Sequence, residues 1–301
     1  MTDLLDDSVT SLDGTRIGYR RLGAGPGLIV LHGSMCSGAS HRELARSLAE
    51  RFTVWLPDRR GHGLGGRAHD SGGYRPGPTL PQETEDLQAL LAATGARHVF
   101  AVSSGALVAL HTALVAPDLL DQVVLFEPPL LPDAAQARQL AERCARELDG
   151  GDLRGAMVTA WRASEMGPAV IRALPRPLLT WMVGQGLAAQ ERKGSGDHTP
   201  MRVLAGVVPR DLAVAAETAG DAGRFAPVAA RVLLLGGSRS PGYLRAALDA
   251  LEQVLPHARR VEIPGVGHEC PLDTDLRGRP ELVAREVRSF LDAVHDDVDR
   301  R

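Results

Sequence analysis

Two hydrophobic rhythms alternate along the chain. Short, mostly apolar runs occur at Gly27–Leu31 (GLIVL), Phe52–Pro57 (FTVWLP), His98–Val102 (HVFAV), Gln122–Phe126 (QVVLF), Arg231–Leu235 (RVLLL) and Arg260–Pro264 (RVEIP). Most leave no polar face for water, which is the pattern of strands in a parallel sheet covered on both sides. Between them, His41–Glu50, Thr84–Thr94, Ser104–Ala116, Tyr243–Leu255 and Pro280–His295 repeat apolar residues at three- and four-residue spacing, as amphipathic helices do. The opening SVTSLDGTRIGYRRLG instead sets Ile17 and Tyr19 against polar neighbours beside the turn pair Asp13-Gly14, and predicts a hairpin. Strand–helix–strand order at these lengths predicts an α/β fold with a mostly parallel, doubly wound sheet.

The rhythm stops between residues 129 and 228. Only helical stretches such as Ala134–Leu148 and Leu153–Ser164 stand there, punctuated most densely at QERKGSGDHTP. An all-helical insertion divides the chain into a core of residues 1–128 and 229–301 and a segment 129–228. The insertion reads as a lid over the carboxyl edge of the sheet, with a helical subdomain of no gating role as the alternative.

Composition narrows the class without naming a chemistry. With 301 residues, 44% hydrophobic and 24% charged, the chain can bury a core without disulfide or metal. Cys36, Cys144 and Cys270 lie far apart with no C-x-x-C pair, so neither a disulfide framework nor a metal site is expected. Thirty-four basic residues against 37 acidic ones advertise neither nucleic acid nor an anionic membrane. MTDLLDDSVT lacks the features of a secretory signal, and no apolar run approaches the length of a membrane span. The expectations are a cytoplasmic location, no cofactor, no membrane or nucleic-acid partner and a small-molecule substrate; the oligomeric state, a homodimer included, is left open.

Candidate chemistry begins in HVFAVSSGALVAL, where a buried strand runs into an apolar helix and Ser103 stands at the turn. In a nucleophile elbow a strained serine is thrust into the cleft, and the positions two before and two after it must be small. Here they are Ala101 and Gly105; centring the pattern on Ser104 would put Val102 at the first. Alone, the string also suits a plain helix start with Ser103 as N-cap. Three further segments bear on it. In LIVLHGSMCSG a strand ends at His32-Gly33, and backbone N–H groups beyond it could face an oxyanion. DRRGHGLGGR, Asp58 to Arg67, reads as a tight surface loop of scaffold. EIPGVGHECP follows the last strand and places His268 where a base for serine would come.

Taken in order, these motifs resemble the α/β-hydrolase superfamily over nearly the whole chain, its cap-bearing, cofactor-free serine members above all. The resemblance implies Ser103 as nucleophile, His268 as base and the backbone N–H groups of Ser34 and Ser104 as oxyanion donors, with Met35 as pocket lining. Serine in the elbow argues against the dehalogenase and epoxide-hydrolase branches, which use aspartate there. The commonest place for the triad acid is the loop after RVLLL, but GGSRSPGYL holds no carboxylate. A second place known in the superfamily is the end of the strand after the serine helix, and Glu127 in VVLFEPPL stands there. Asp273, Asp275 and a Ser–His dyad without an acid are the alternatives, Arg239 is expected in a surface ion pair with an anionic substrate group as the alternative, and Glu269 and Cys270 are expected in structural roles. The implied function is hydrolysis of a small or medium apolar ester, lactone or thioester through an acyl-enzyme. Other chemistries of the fold (C–C hydrolysis, acyl transfer) and a non-catalytic ligand-binding role stay open at this point.

Overall fold

A computed structural model describes residues 5–63, 79–194, 196 and 198–292. Its strands are β1 (Leu5–Thr10), β2 (Arg16–Leu22), β3 (Gly27–Leu31), β4 (Thr53–Pro57), β5 (His98–Val102), β6 (Gln122–Phe126), β7 (Arg231–Gly237) and β8 (Ala258–Ile263). They form one sheet in the order β1-β2-β4-β3-β5-β6-β7-β8. The β1–β2 and β2–β4 pairs are antiparallel and the rest are parallel. Gly14 closes the hairpin at φ +84°, a left-handed conformation that a side chain would strain.

The helices are α1 (Arg42–Leu48), α2 (Thr79–Thr94), α3 (Ser104–Val115), α4 (Ala134–Asp149), α5 (Leu153–Ala163), α6 (Ala169–Arg172), α7 (Arg176–Lys193), α8 (Met201–Thr218), α9 (Gly242–Val254) and α10 (Pro280–Asp292). Alternate residues of each central strand enter opposite cores. Leu28 and Val30 pack with Leu44 and Leu48 of α1 and Val283 and Val287 of α10, whereas Ile29 and Leu31 pack with Leu87 of α2 and Leu107 of α3. Each such buried leucine is worth roughly 1.5–3 kcal/mol over an exposed one. Burial on both faces is the reason these strands are apolar throughout.

Several boundaries differ from the sequence pattern, two of them for a reason the structure shows. The last strand is Ala258–Ile263 rather than Arg260–Pro264, and only Ile263 in it is buried, because β8 is the edge of the sheet. Helix α2 begins at Thr79, ahead of the apolar repeat from Thr84. The Glu217 carboxylate of α8 accepts the N–H groups of Thr79 and Leu80, both at 2.9 Å, a cap that no local sequence signal announces. Residues 293–295 of the expected last helix, 64–67 of the DRRGHGLGGR loop, and Ser195 and Asp197 lie outside the described residues.

Between β6 and β7 the described residues contain no strand, only α4 to α8 and a short 3₁₀ turn. Asp133 caps α4 by accepting the N–H groups of Ala135 and Gln136 at 2.8 and 3.0 Å. Helix α8 packs on α4, α2 and α3, and so joins the insertion to the sheet layer. The chain leaves β3 for β4 on one side and returns to β5 on the other. The carboxyl ends of β3 and β5 therefore border the crevice where open α/β sheets bind ligands. Among the described residues no helix is long and apolar enough to cross a membrane.

Candidate active site

Ser103 follows β5 with φ 55° and ψ −125°, a conformation costing about 1–3 kcal/mol that surrounding packing must hold. Its N–H donates to the Phe126 carbonyl at 2.9 Å. Gly105 makes the turn feasible, since a Cβ there would lie 2.3 Å from the His32 carbonyl oxygen. Ala101 is fully buried in β5, so the small residue at that position is a packing requirement too. A Cβ on Gly33 would stand 2.8 Å from Ser103 Cβ, which explains the glycine after His32.

Glu127 stands immediately after β6, fully buried and at φ 50°. A carboxylate there is tolerable only with partners for both oxygens. Oε1 accepts the Gly237 N–H at 2.6 Å, and Oε2 accepts from Nδ1 of His268, also at 2.6 Å. His268 reaches it from the loop after β8, and Ser103 and His268 line one cavity. With Nδ1 engaged by the carboxylate, Nε2 is the ring nitrogen left for a serine proton. The alternative acids are occupied elsewhere: Asp273 accepts from the Glu43 N–H at 2.8 Å, and Asp275 meets His198 at 3.0 Å.

Ser34, Met35 and Ser104 border the same cavity, and Met35 has φ 57°. The N–H of Ser104 is the first of α3 and that of Ser34 follows the β3 strand, so both are free of ladder or helix acceptors. The cavity measures about 620 Å³, with Leu131, Leu140, Met157, Trp161, Leu179 and Val208 of the insertion among its walls. A second, polar cleft of about 360 Å³ shares His268 with the first and is bordered by Glu165, Arg239, Gly265 and Glu269. Arg239, expected in a surface ion pair, makes none with a described residue. Cys270 is buried with Sγ toward the Arg279 carbonyl, and burial pushes its thiol up to about 12. His32 donates from Nδ1 to the Gly33 carbonyl at 2.8 Å and accepts the Arg59 N–H on Nε2 at 2.9 Å, a structural role. Burial above all, with His62 and Arg59 beside it, holds this imidazole neutral, well below its usual range.

The reading of Asp58–Arg67 as a surface loop is corrected by the structure. Asp58, Arg59, Arg60 and His62 are all buried, because each finds a partner from another element. Arg60 pairs with Asp86 of α2 at 2.6 Å and with Asp13 of the hairpin turn at 2.6 Å. Arg59 grips Glu83 of α2 with two bonds of 3.0 and 3.1 Å and reaches Asp211 of α8 at 2.8 Å. It also donates to Ser104 Oγ at 2.9 Å, and Ser104 Oγ in turn donates to Asp211 at 3.0 Å. His62 approaches the second oxygen of Asp211 at 3.3 Å. Burial works against the charge on Asp211, yet Arg59, His62 and the Ser34 hydroxyl hold it well below the usual carboxylate range. Arg59 and Asp211 escaped the sequence reading. Their signal was an Arg210-Asp211 pair in the otherwise apolar VLAGVVPRDLAVAA, which had to find partners.

A family model described as "Alpha/beta hydrolase family" matches residues 28–286. The chain belongs to the α/β hydrolase family. A pimeloyl-[acyl-carrier protein] methyl ester esterase of Xanthomonas campestris is 26% identical over 284 residues, 91% of this chain and 98% of that protein. A hydrolase of Bacillus subtilis is 29% identical over 145 residues, 46% of this chain and 52% of its own length. Among solved structures, an α/β hydrolase of Sphaerobacter thermophilus superposes with TM-score 0.72 at 27% identity, covering 95% of this chain and 100% of that one. This α/β hydrolase is thus an enzyme of esterase-like kinship. Within the hydrolase, the last two residues of β7 help to make the place in which Glu127 sits. A Cβ on Gly236 would sit 3.1 Å from Glu127 Oε1, and the Gly237 N–H is one of the two groups that hold Glu127. Among the described residues no cluster of His, Cys, Asp or Glu is arranged to hold a metal ion.

Proposed function

We propose that this hydrolase cleaves a small or medium carboxylic ester with an apolar acyl group, by way of an acyl-enzyme on Ser103. The observation that carries the reading is Glu127 bonded at 2.6 Å to Nδ1 of an imidazole that shares a cavity with a serine held in the elbow conformation. Ser103 Oγ attacks the ester carbonyl while His268 Nε2 takes its proton, and Glu127 stabilises the resulting imidazolium. The Ser34 and Ser104 N–H groups receive the negative charge on the tetrahedral carbonyl oxygen. Collapse expels the alkoxide, which takes the proton back from His268 and leaves as alcohol. Water, deprotonated by His268, then releases the acid from Ser103. Residues 129–228 serve as a cap whose Leu, Met and Trp side chains bury the acyl group, leaving the polar cleft beside His268 for the alcohol. The ester substrate of the Xanthomonas relative supports an ester here. Intact-mass analysis after incubation with a fluorophosphonate tests the reading. A single adduct mapped to Ser103, absent from Ser103→Ala and His268→Ala, is expected; a folded protein that stays unlabelled would refute it.

A further inference from the structure

We propose that Asp211, carried by α8 of the insertion, is the positioning residue of the oxyanion site: it holds Ser34 and Ser104 so that their backbone N–H groups converge on one point. The inference rests on the acyl-enzyme reading of Ser103. Asp211 is buried and borders the catalytic cavity together with Ser34 and Ser104, the residues that carry the proposed donors. Ser104 Oγ donates to its Oδ1 at 3.0 Å, and the Ser34 hydroxyl is among the groups that hold this carboxylate below its usual range. One side chain thereby adjoins both the residue after His32-Gly33 and the first residue of α3. Oxyanion donors act only within about 0.5 Å and 10–20° of their working geometry, so the two peptide planes need such a tie.

A carboxylate next to a developing oxyanion would oppose it if left bare. Arg59 removes that objection: its guanidinium lies 2.8 Å from Asp211 Oδ1, also donates to Ser104 Oγ, and is itself fixed by the two bonds to Glu83. The Ser104 hydroxyl is therefore anchored to an ion pair rather than to an isolated charge. Because α8 belongs to the insertion, the donors are fully set only while α8 is docked on α2 and α3. A mere clamp between α8 and the core would need the Arg59–Asp211 pair but neither serine hydroxyl.

The two roles separate on ligand affinity. An alkyl trifluoromethyl ketone adds Ser103 Oγ to its carbonyl carbon, passing the serine proton to His268 and placing the carbonyl oxygen in the oxyanion site as an alkoxide. Its reduced alcohol fills the same cavity without forming that charge. For Asp211→Asn we expect ketone inhibition and kcat/KM to weaken together, by about 10- to 100-fold, with alcohol affinity changed less than about twofold. The double variant Ser34→Ala/Ser104→Ala keeps the ion pair and should show the same selective loss. Adding Asp211→Asn to it should cost little more, as for residues acting as one unit. Alcohol affinity falling as far as ketone affinity would overturn the proposal, and so would ketone affinity that does not change. If Asp211→Asn does not fold, the double serine variant decides alone: ketone affinity equal to wild type overturns it. A wild-type enzyme that binds ketone no better than alcohol would instead indict Ser103 itself.

Discussion

Glu127→Gln separates the charge of one carboxylate from its shape. Glu127 is fully buried and spends its oxygens on two donors, the Gly237 N–H and His268 Nδ1, each at 2.6 Å. A glutamine offers one oxygen and one NH₂ in the same places. The Gly237 amide can only donate, so it claims the oxygen and turns the NH₂ toward His268. An NH₂ at that position is satisfied only by a bare Nδ1, which moves the ring proton to Nε2. Nε2 then cannot accept the proton of Ser103, and no carboxylate remains to stabilise the imidazolium. Both losses fall on the same step, so kcat should drop by about 10³–10⁴, equivalent to about 4–5.5 kcal/mol of barrier. Steady-state hydrolysis of a p-nitrophenyl acyl ester measures this, and KM should stay nearly constant because Glu127, the residue changed, does not line the acyl cavity. Urea unfolding run alongside should show a stability loss no larger than about 1–3 kcal/mol, the cost of one disturbed buried hydrogen bond. A folded variant with kcat within about tenfold of wild type, a loss of only about 1.4 kcal/mol, would remove Glu127 from the mechanism.

Two further expectations concern stability. Gly105→Ala drives a Cβ to 2.3 Å from the His32 carbonyl oxygen, which only a shift of backbone can relieve; a loss of about 1–3 kcal/mol in urea unfolding, with slower fluorophosphonate labelling, is expected, and unchanged unfolding would refute the packing argument. Acid should destabilise the fold well above the carboxylate range. Burial pushes His41 down to about 4, and its Nε2 has no hydrogen-bond partner among the described residues; burial also holds His32 well below its usual range. Both rings stay neutral in the fold but bind protons in the unfolded chain below about pH 6.5, so stability falls as pH drops, by roughly 2–3 kcal/mol between pH 6 and 5. Asp86 and Asp273, held above their usual range by burial, act in the opposite sense, nearer the carboxylate range. Unfolding midpoints that coincide at pH 6 and 5 would contradict the assignment.

The parts of the site that the sequence disclosed are those set by strand ends. Parallel pairing aligns Val102 with Phe126 and Phe126 with Leu235, so the next residues, Ser103, Glu127 and Gly236, arrive side by side at the carboxyl edge. Reading where each apolar run stops is therefore enough to bring serine and glutamate together. Gly236 and Gly237, which the sequence pattern placed in a loop without a carboxylate, end β7 beside Glu127 and supply one of the N–H groups that hold it. The apolar repeat also located the helices of the sheet layer, but it misplaced the start of α2, whose cap is Glu217 from a distant helix.

What stayed hidden follows one physical rule. Apolar periodicity reports which side chains leave water, whereas a charge can leave water only with a partner, and partners are chosen in three dimensions. Asp58-Arg59-Arg60 in a glycine-rich loop has the composition of a surface turn. Its arginines are buried because α2 supplies Glu83 and Asp86 and α8 supplies Asp211, and its aspartate because it accepts the Gly38 N–H and faces Arg20. Removing one member of such a set leaves an uncompensated charge worth about 3–5 kcal/mol, so three separate segments are bound to one another's identity. Apolar contacts alone would let α8 slide or repack over the sheet at small cost, since hydrophobic burial has no direction. The Arg59–Asp211 pair gives it one register, and that register is the one in which a carboxylate of the insertion meets the Ser104 hydroxyl next to Ser103.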